Sequence, residues 1–188
     1  TFNTFLKSQA EYFIKKGLKV EVACSDNEKL NFKNTLNHKI NFPTKVKDLF
    51  NLIKYIQIFL QINSLVKKNN SALFFTHTPV ASHLFRIFTF FSKLKIIYFV
   101  HGFRFTSNTN TIKDLLFKII EKVLSINTNI FITINNDDYN YTQQNLIRNN
   151  LCYKLNGVGL DPVSKNKKII NKKKKIKKIL VMAAYKKD

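Results

Sequence analysis

Two apolar stretches of the sequence each end on a histidine: LFFT runs into His77, and IIYFV runs into His101. An imidazole can donate or accept a proton near neutral pH, so it suits acid–base chemistry or hydrogen bonding to an anion. Gly102 follows His101 and lets a ligand approach the backbone closely, and the guanidinium of Arg104 can bind a phosphate or a carboxylate. A lone histidine at a strand end is more often a hydrogen-bonded loop residue, so His77 by itself is the weaker of the two candidates.

The segments around these histidines alternate between helical and strand-like patterns. Helical segments repeat apolar residues three or four positions apart, and strand segments are short apolar runs bounded by turn signals. Pro79 fits the first turn of a helix, and Asn135 or Asn136 can cap another. The predicted helices cover residues 5–14, 46–66, 80–92, 112–124 and 136–147, and the predicted strands cover residues 18–24, 39–42, 72–76, 95–100, 129–134 and 152–155.

Apolar strands that alternate with helices predict one fold class. They are typical of an α/β domain in which a parallel sheet is covered by helices on both faces, that is, a doubly wound, Rossmann-like sheet. In such a sheet ligands bind outside the carboxyl ends of the strands. His77 and His101 both end predicted strands, so the sequence predicts that they share this edge.

The chain is strongly basic, with 32 Lys and Arg residues against 11 Asp and Glu residues and a net charge of +21. This charge suits nucleic acid, anionic lipid or phosphorylated small molecules. A nucleic-acid module would expose aromatic side chains beside its lysines, whereas most aromatic residues here fall on strands and buried helix positions. We therefore expect no nucleic-acid partner. The alternative to an enzyme is a basic α/β module that binds nucleic acid or an anionic membrane without catalysis.

A membrane surface is a separate expectation, compatible with an enzyme. The basic residues predicted to face anionic lipid are Lys15, Lys16, Lys67, Lys68 and Arg86. Charged residues interrupt the longest apolar stretches, so none offers the roughly 20 residues of a membrane span. No signal peptide opens the sequence, and we expect a cytoplasmic protein that lies on the inner face of the plasma membrane.

The remaining reactive side chains predict structural roles. Cys24 and Cys152 lie far apart inside apolar runs, without the close spacing of a zinc site or redox pair, and are predicted to be reduced, buried thiols. Asp137 and Asp138 are neighbours at a helix start, where their side chains diverge and complement the helix dipole. No P-loop or Gly-x-Gly-x-x-Gly pattern occurs in the sequence.

Four short motifs together resemble one enzyme family. They are THTPVAS at 76–82, VHGFRF at 100–105, TINNDDY at 133–139 and NGVGLD at 156–161. In this order and spacing they resemble the N-terminal domain of glycosyltransferase family 4 over nearly the whole chain. The resemblance is closest to bacterial enzymes that build capsular or exopolysaccharide repeat units on a lipid carrier.

The resemblance implies a GT-B architecture, in which two Rossmann-like domains face each other across a cleft. It implies a retaining transfer from a nucleotide-sugar donor to a lipid-linked saccharide acceptor, with no metal ion and no other cofactor. His101 would be the catalytic residue beside the donor sugar and its diphosphate, whose growing negative charge needs stabilisation. The resemblance places Gly102, Gly157 and Gly159 on the donor side, and Thr76, His77 and Arg104 on the acceptor side.

The resemblance also implies a domain organisation. Residues 1–164 correspond to the acceptor-side domain and begin at its first helix, so we expect its first strand and the glycine-containing loop after it to be absent. Residues 165–176 are predicted to be a basic linker, and residues 177–188 resemble the first strand of a donor-binding domain. We expect these 188 residues alone to transfer no sugar.

Overall fold

The structure, a computed structural model, describes residues 6–25, 35–43, 51–69, 71–105 and 111–157. Within these residues helices and strands alternate along the chain. The helices are α1 (Lys7–Lys15), α2 (Leu52–Lys68), α3 (Pro79–Phe88), α4 (Ile112–Leu124) and α5 (Asn136–Asn145), and a short 3₁₀ turn, Ser125–Asn127, follows α4. The strands are β1 (Glu21–Cys24), β2 (Leu36–Lys39), β3 (Leu73–His77), β4 (Lys95–Val100), β5 (Ile130–Thr133) and β6 (Leu151–Lys154).

Side-chain caps explain where three of the helices begin. The side chains of Asn51, Thr111 and Asn135 each accept a hydrogen bond from a backbone N–H in the first turn of α2, α4 and α5. Pro79 occupies the first turn of α3, where its missing N–H has no helical partner to lose. Of the two predicted caps of α5, Asn135 and Asn136, Asn135 caps the helix, and the predicted position of Pro79 is confirmed.

The described strands form two parallel sheets. β1 pairs with β2, and the larger sheet has the order β3-β4-β5-β6 with every pair parallel. The prediction of a parallel α/β fold is confirmed. The strands fall into two sheets because β1 and β3 are not hydrogen-bonded to each other among the described residues.

Helices cover both faces of the larger sheet. Consecutive residues of a strand point to opposite faces, and Phe74 and Phe75 of β3 show this directly. The ring of Phe74 lies 5.2 Å from that of Phe85 in α3, whereas the ring of Phe75 lies 5.5 Å from that of Phe13 in α1. The sheet is therefore doubly wound, as predicted.

The buried core consists of two clusters, and helices on one face of the larger sheet contribute residues to both. The first joins α2 and α3 to the sheets through Ile40, Ile58, Ile62, Val66, Phe85 and Ile96. The second lies between β4, β5, β6 and the end of α5 and contains Tyr98, Val100, Phe131 and Leu146. β4 is the most deeply buried strand, since every residue from Ile96 to Val100 is buried.

The prediction that Arg86 faces anionic lipid is wrong, because its side chain is fully buried. A guanidinium nitrogen of Arg86 lies 2.8 Å from a carboxylate oxygen of Glu121, and its central carbon lies 4.1 Å from the ring centroid of Tyr98. Nε2 of His83 lies 2.8 Å from the other carboxylate oxygen of Glu121. A buried charge is tolerated when it is paired and hydrogen-bonded, which is the case here.

Both cysteines are reduced thiols and partly buried, in agreement with their predicted reduced state. Burial raises the pKa of Cys152 to about 11. No helix in the described part of the chain is long and apolar enough to cross a lipid bilayer. The predicted linker at 165–176, the segment at 177–188 and Gly159 all lie outside the described residues.

Candidate functional site

His77 and His101 meet at the carboxyl edge of the larger sheet. His77 is the last residue of β3, and His101 directly follows the last residue of β4. Nδ1 of His77 lies 3.2 Å from Nε2 of His101, so one ring donates a hydrogen bond to the other. The prediction that both histidines share one edge is confirmed, and they are in direct contact.

The ring of Phe99 stacks against both imidazoles. Its ring centroid lies 5.3 Å from that of His77 and 4.8 Å from that of His101, and both pairs are stacked. Register explains the arrangement, because His77 pairs with Phe99 across the parallel strands and His101 lies two residues further on the same face. Phe99 was not predicted as a site residue, although the spacing of Phe99 and His101 places both on one face of β4.

Both imidazoles are held in the neutral state at physiological pH. Burial, with a smaller contribution from repulsion between the two rings when His101 is protonated, lowers the pKa of His77 to about 4. Burial also lowers the pKa of His101. A neutral imidazole carries one N–H donor and one acceptor nitrogen, so the pair can present an N–H to a ligand while the two rings remain hydrogen-bonded.

The backbone after His101 leaves room for a ligand. Gly102 has a φ of +116°, a value that side chains disfavour, and a Cβ placed there would meet no atom within 4 Å. Arg104 is exposed two residues later, so its guanidinium is accessible from solvent. Together they give this edge an open stretch of backbone beside a permanent positive charge.

Asp138 fixes the loop that carries Gly102. Its carboxylate accepts a hydrogen bond from the backbone N–H of Phe103 (3.4 Å) and another from the side-chain amide of Asn135 (2.6 Å). Burial raises the pKa of Asp138, while the hydrogen bonds from Asn135 and Phe103 oppose that effect. Asp137 is exposed, so the two carboxylates diverge as predicted, but the hydrogen bond that Asp138 accepts from the loop was not predicted.

Thr76 does not join the histidines. Its side chain is buried on the opposite face of β3, where Oγ1 lies 3.0 Å from Oγ of Ser82 and donates to the carbonyl of Ile97 (3.4 Å). Adjacent strand residues alternate between faces, so the side chains of Thr76 and His77 lie on opposite faces of β3. Thr76 packs inside the domain, and its place on the acceptor side stays a prediction.

Gly157 lies at the same edge as the histidines but further along the sheet. It comes three residues after β6, which is separated from β4 by β5. Its φ of +112° gives a tight turn that a residue with a side chain disfavours. Its companion Gly159 is outside the described residues, so the structure gives a position for only one of the two predicted loop glycines.

Thr78 separates the histidine of β3 from the helix that follows. It has a φ of +63°, an uncommon value for a residue that is not glycine, and the next residue is Pro79. Such a conformation costs of order 1–3 kcal/mol and is found most often beside functional sites. The turn ends β3 abruptly, so that His77 remains at the edge while α3 turns back over the opposite face.

Two comparisons of the sequence with known proteins find a family and a relative. The family described as "Glycosyl transferase 4-like" matches residues 1–135, which contain His77, His101 and Arg104. A protein of Bacillus subtilis (strain 168) named "Putative glycosyltransferase EpsD" is 25% identical over 163 residues, which are 85% of this chain and 42% of that relative. The chain thus spans less than half the length of the relative that it matches.

Proposed function

Since the chain belongs to the glycosyl transferase 4-like family, we propose that it is part of a retaining glycosyltransferase of the GT-B type. The enzyme would move a hexose from a nucleotide-sugar to a lipid-linked saccharide during the synthesis of a cell-surface polysaccharide. The observation that carries this proposal is the contact between His77 and His101 at the carboxyl edge of the parallel sheet. That edge is where open α/β sheets bind their ligands.

His101 is the proposed catalytic residue. In the transfer, the bond between the anomeric carbon and the diphosphate oxygen breaks, a bond to the acceptor hydroxyl oxygen forms, and the hydroxyl proton is released. The departing diphosphate gains negative charge, which a positioned N–H donor stabilises. Burial lowers the pKa of both imidazoles and favours their neutral forms, so the donated proton stays on the ring and the site acts by hydrogen bonding.

The neighbouring groups have separate proposed roles. Gly102 would let the diphosphate approach the backbone, because no side chain occupies that space. His77 holds the ring of His101 through their hydrogen bond and would line the acceptor side together with the exposed Arg104. Gly157 would close the donor side of the cleft. The reaction would need no metal ion, so we expect transfer to continue in the presence of EDTA.

The bilayer that carries the lipid-linked acceptor is a proposed partner, and α4 offers the surface for it. Its exposed apolar residues recur with helical spacing, and exposed lysines flank them, which suits the surface of an anionic membrane. The apolar residues, with their exposed fractions, are Ile112 (88%), Leu115 (56%), Leu116 (56%), Ile119 (52%) and Val123 (47%). Lys113 and Lys122 are exposed on the same helix.

The lysines first predicted to face the membrane lie elsewhere. Lys15 and Lys16 end α1 just before β1, and Lys67 and Lys68 end α2 just before β3, so all of them lie at the amino edge of the sheets. The histidine pair lies at the opposite edge. Binding through α4, which runs along the sheet from one edge to the other, leaves the histidine edge accessible to an acceptor at the bilayer surface.

The activity is tested with radiolabelled nucleotide-sugars and lipid-linked saccharide acceptors, offered to the natural polypeptide that carries these residues. We expect label in the lipid fraction and a fall in kcat of about 10²–10³-fold for His101→Ala. His38→Ala is the matched control, because His38 pairs with Glu21 at the β1–β2 sheet rather than at the site. Full activity of His101→Ala, or transfer by residues 1–188 alone, would contradict the proposal.

The membrane proposal has its own measurement, which does not depend on turnover. Sedimentation with vesicles that contain phosphatidylglycerol should carry the chain down, and Leu116→Asp with Ile119→Asp should abolish this. Tyr153→Asp is the control, since Tyr153 is equally exposed (53%) on β6, away from α4. Binding that is unaffected by the α4 changes, or independent of anionic lipid, would refute it. Salt-sensitive binding to duplex DNA would favour the nucleic-acid alternative instead.

A further inference from the structure

Three aromatic rings meet beside the histidine edge, two from the loop of residues 101–105 and one from α5. The rings of Phe103 and Phe105 are stacked, with centroids 5.0 Å apart and an angle of 8° between their planes. The ring of Tyr141 meets both of them edge to face, at 5.7 Å from Phe103 and 4.8 Å from Phe105. Stacked and edge-to-face contacts are favourable arrangements of aromatic pairs. These three residues are called the aromatic cluster below.

The aromatic cluster is packed into the domain. Phe105 is buried, and Phe103 and Tyr141 pack against the buried residues of β4, β5 and α5. Burial raises the pKa of Tyr141, and the charge of Glu121 adds to this effect. The ammonium group of Lys118 in α4 lies 5.9 Å from the ring centroid of Phe105, within the range of a cation–π contact. The cluster therefore joins the loop to both α5 and α4.

Two residues of α5, three positions apart, hold the loop. The carboxylate of Asp138 accepts a hydrogen bond from the backbone N–H of Phe103 (3.4 Å). The ring of Tyr141 contacts the side chains of Phe103 and Phe105. Residues three positions apart lie on the same face of a helix, so one face of α5 fixes both the backbone and the side chains of the loop.

Arg104 lies between the two stacked residues in the sequence and is exposed. Because the rings of Phe103 and Phe105 are packed against Tyr141, the side chain of Arg104 leaves the loop on its solvent side. An arginine side chain loses rotamer freedom when it binds a ligand, and a loop backbone that is already ordered adds little further loss. The aromatic cluster thus gives the guanidinium a fixed starting point at this edge of the sheet.

His101 is held separately from Arg104, although both belong to the same loop. The ring of His101 is stacked on Phe99 and hydrogen-bonded to His77, and these two partners are strand residues. The loop therefore has one anchor on the sheet and another on α5, with Gly102 between them at a φ of +116°. Loss of the anchor on α5 should displace Arg104 and leave His101 in place.

We propose that Tyr141 is a positioning residue, which sets the place of Arg104 through the rings of Phe103 and Phe105. This inference rests on the proposed function, in which Arg104 lines the acceptor side and its guanidinium binds a phosphate or carboxylate group of the acceptor. The ring of Tyr141 carries this role, because the contacts with the loop are ring contacts. Phenylalanine should therefore replace Tyr141, whereas leucine, which is apolar but not aromatic, should not.

The order of Arg104 is measured first, by ¹⁵N relaxation of the 188-residue chain without substrate. We expect the backbone order parameter of Arg104 to be near the value of about 0.85 that is typical of rigid backbone, and to fall towards about 0.6 in Tyr141→Leu. Tyr141→Phe should keep the original value. Tyr141→Met is a second replacement without a ring and should behave like Tyr141→Leu.

Tyr139→Leu is the matched control for these variants. Tyr139 lies on the same helix, and its hydroxyl accepts a hydrogen bond from the side chain of Gln143 (3.3 Å) at an exposed position. This change should leave the order parameter of Arg104 unaltered. An order parameter of Arg104 that is the same in all the variants would overturn the proposal. Near-UV circular dichroism verifies that each variant is folded.

The kinetics of the natural polypeptide then measure the effect on the acceptor. In the transfer assay with the lipid-linked saccharide, Tyr141→Leu should raise KM for that saccharide at least about tenfold and leave kcat within about twofold. The reason is that Arg104 binds the acceptor while His101, which acts on the departing diphosphate, keeps its own anchors. Arg104→Gln should give the same division, and the double variant should raise KM no further. Tyr141→Phe should restore the original KM.

The outcomes separate this inference from the proposed function. An unchanged polypeptide that transfers no sugar would contradict the proposed function, and the relaxation data would still decide whether Tyr141 places Arg104. If transfer occurs, multiplying effects of Tyr141→Leu and Arg104→Gln on KM would mean that the two residues act independently. A fall in kcat as large as the rise in KM would show a general structural role for Tyr141. Either result would overturn the inference.

Discussion

Nδ1 of His77 and Nε2 of His101 lie 3.2 Å apart, so these two nitrogens share a single proton between them. Protonating both rings fully would place two donors face to face and remove the hydrogen bond. The pair is therefore compatible with at most one positive charge. Its neutral form is favoured by burial over Phe99, and this property governs how the site responds to pH.

Acid should destabilise the protein through His77. The folded-state pKa of about 4 lies below the ordinary value of 6.5. Between these two pH values the unfolded chain binds a proton at His77 and the folded chain does not. The stabilising difference is present above pH 6.5 and is lost as the pH falls to about 4. One pKa unit corresponds to about 1.4 kcal/mol, so the loss approaches roughly 3 kcal/mol.

Imidazole NMR titration checks this prediction together with urea unfolding at several pH values. The resonances of His77 should titrate near pH 4 while the chain remains folded, and His77→Gln should flatten the loss of stability between pH 6.5 and 4. His38→Gln serves as the comparison, because its ring is partly exposed beside Glu21. Titration of His77 near pH 6.5 would show that the ring is not held neutral by its surroundings.

Asp138 should matter more than Asp137, although the two are adjacent in sequence. Asp138→Ala removes the acceptor for the Phe103 N–H and for the amide of Asn135, and we expect a loss of about 1–3 kcal/mol. Asp137→Ala changes an exposed side chain and should cost within about 0.5 kcal/mol. Amide exchange at Phe103 should accelerate in the first variant only. Equal effects of the two variants would show that the loop does not depend on the Asp138 carboxylate.

The elements with strong local signals were predictable from the sequence. The predicted bounds of β4 and α4 match the structure, because β4 is a continuous apolar run and α4 begins at a threonine cap. The predicted bounds of β2 were wrong by three residues, because Leu36–Lys39 is mostly exposed and contains no apolar run. The predicted start of α2 at residue 46 falls outside the described residues.

The topology of the site was predictable from the sequence, whereas the contacts within it were not. Parallel strands place His77 and His101 at one edge, and that rule needs no knowledge of pairing register. Stacking on Phe99 depends on which residue of β4 faces His77, and register is a tertiary property. Burial of Arg86 was missed for a similar reason, because its partner Glu121 lies 35 residues away in sequence.

Cys152 should react slowly with alkylating reagents while the chain is folded. Its pKa of about 11 lies above the ordinary value of 9.0, so the reactive thiolate is about a hundredfold scarcer near neutral pH. In a Cys24→Ala variant, iodoacetamide should modify Cys152 at least about tenfold faster in 8 M urea than in buffer. Equal rates in the two conditions would mean that burial does not suppress ionisation of this thiol.

Arg86 and Glu121 should be strongly coupled, because each neutralises a charge that is buried against the same strand. Burial alone would raise the pKa of Glu121, but the Arg86 charge and the hydrogen bond from His83 more than offset this and lower it. Arg86→Met removes the guanidinium that neutralises the buried carboxylate and leaves it only the hydrogen bonds with His83 and Tyr98, so it should cost about 3–5 kcal/mol. Glu121→Gln should likewise be costly, since it leaves the guanidinium unpaired while keeping an oxygen for His83 and Tyr98.

The double variant decides between a coupled pair and two independent packing contacts. Arg86→Met with Glu121→Gln removes both charges together, so its free energy of unfolding should fall by about 1–3 kcal/mol less than the sum of the single losses. Lys122→Met, next to Glu121 but exposed, should change stability by no more than about 0.5 kcal/mol. Urea unfolding at pH 7 measures all four variants. Additive losses would show that shape rather than charge pairing places Arg86 in the core.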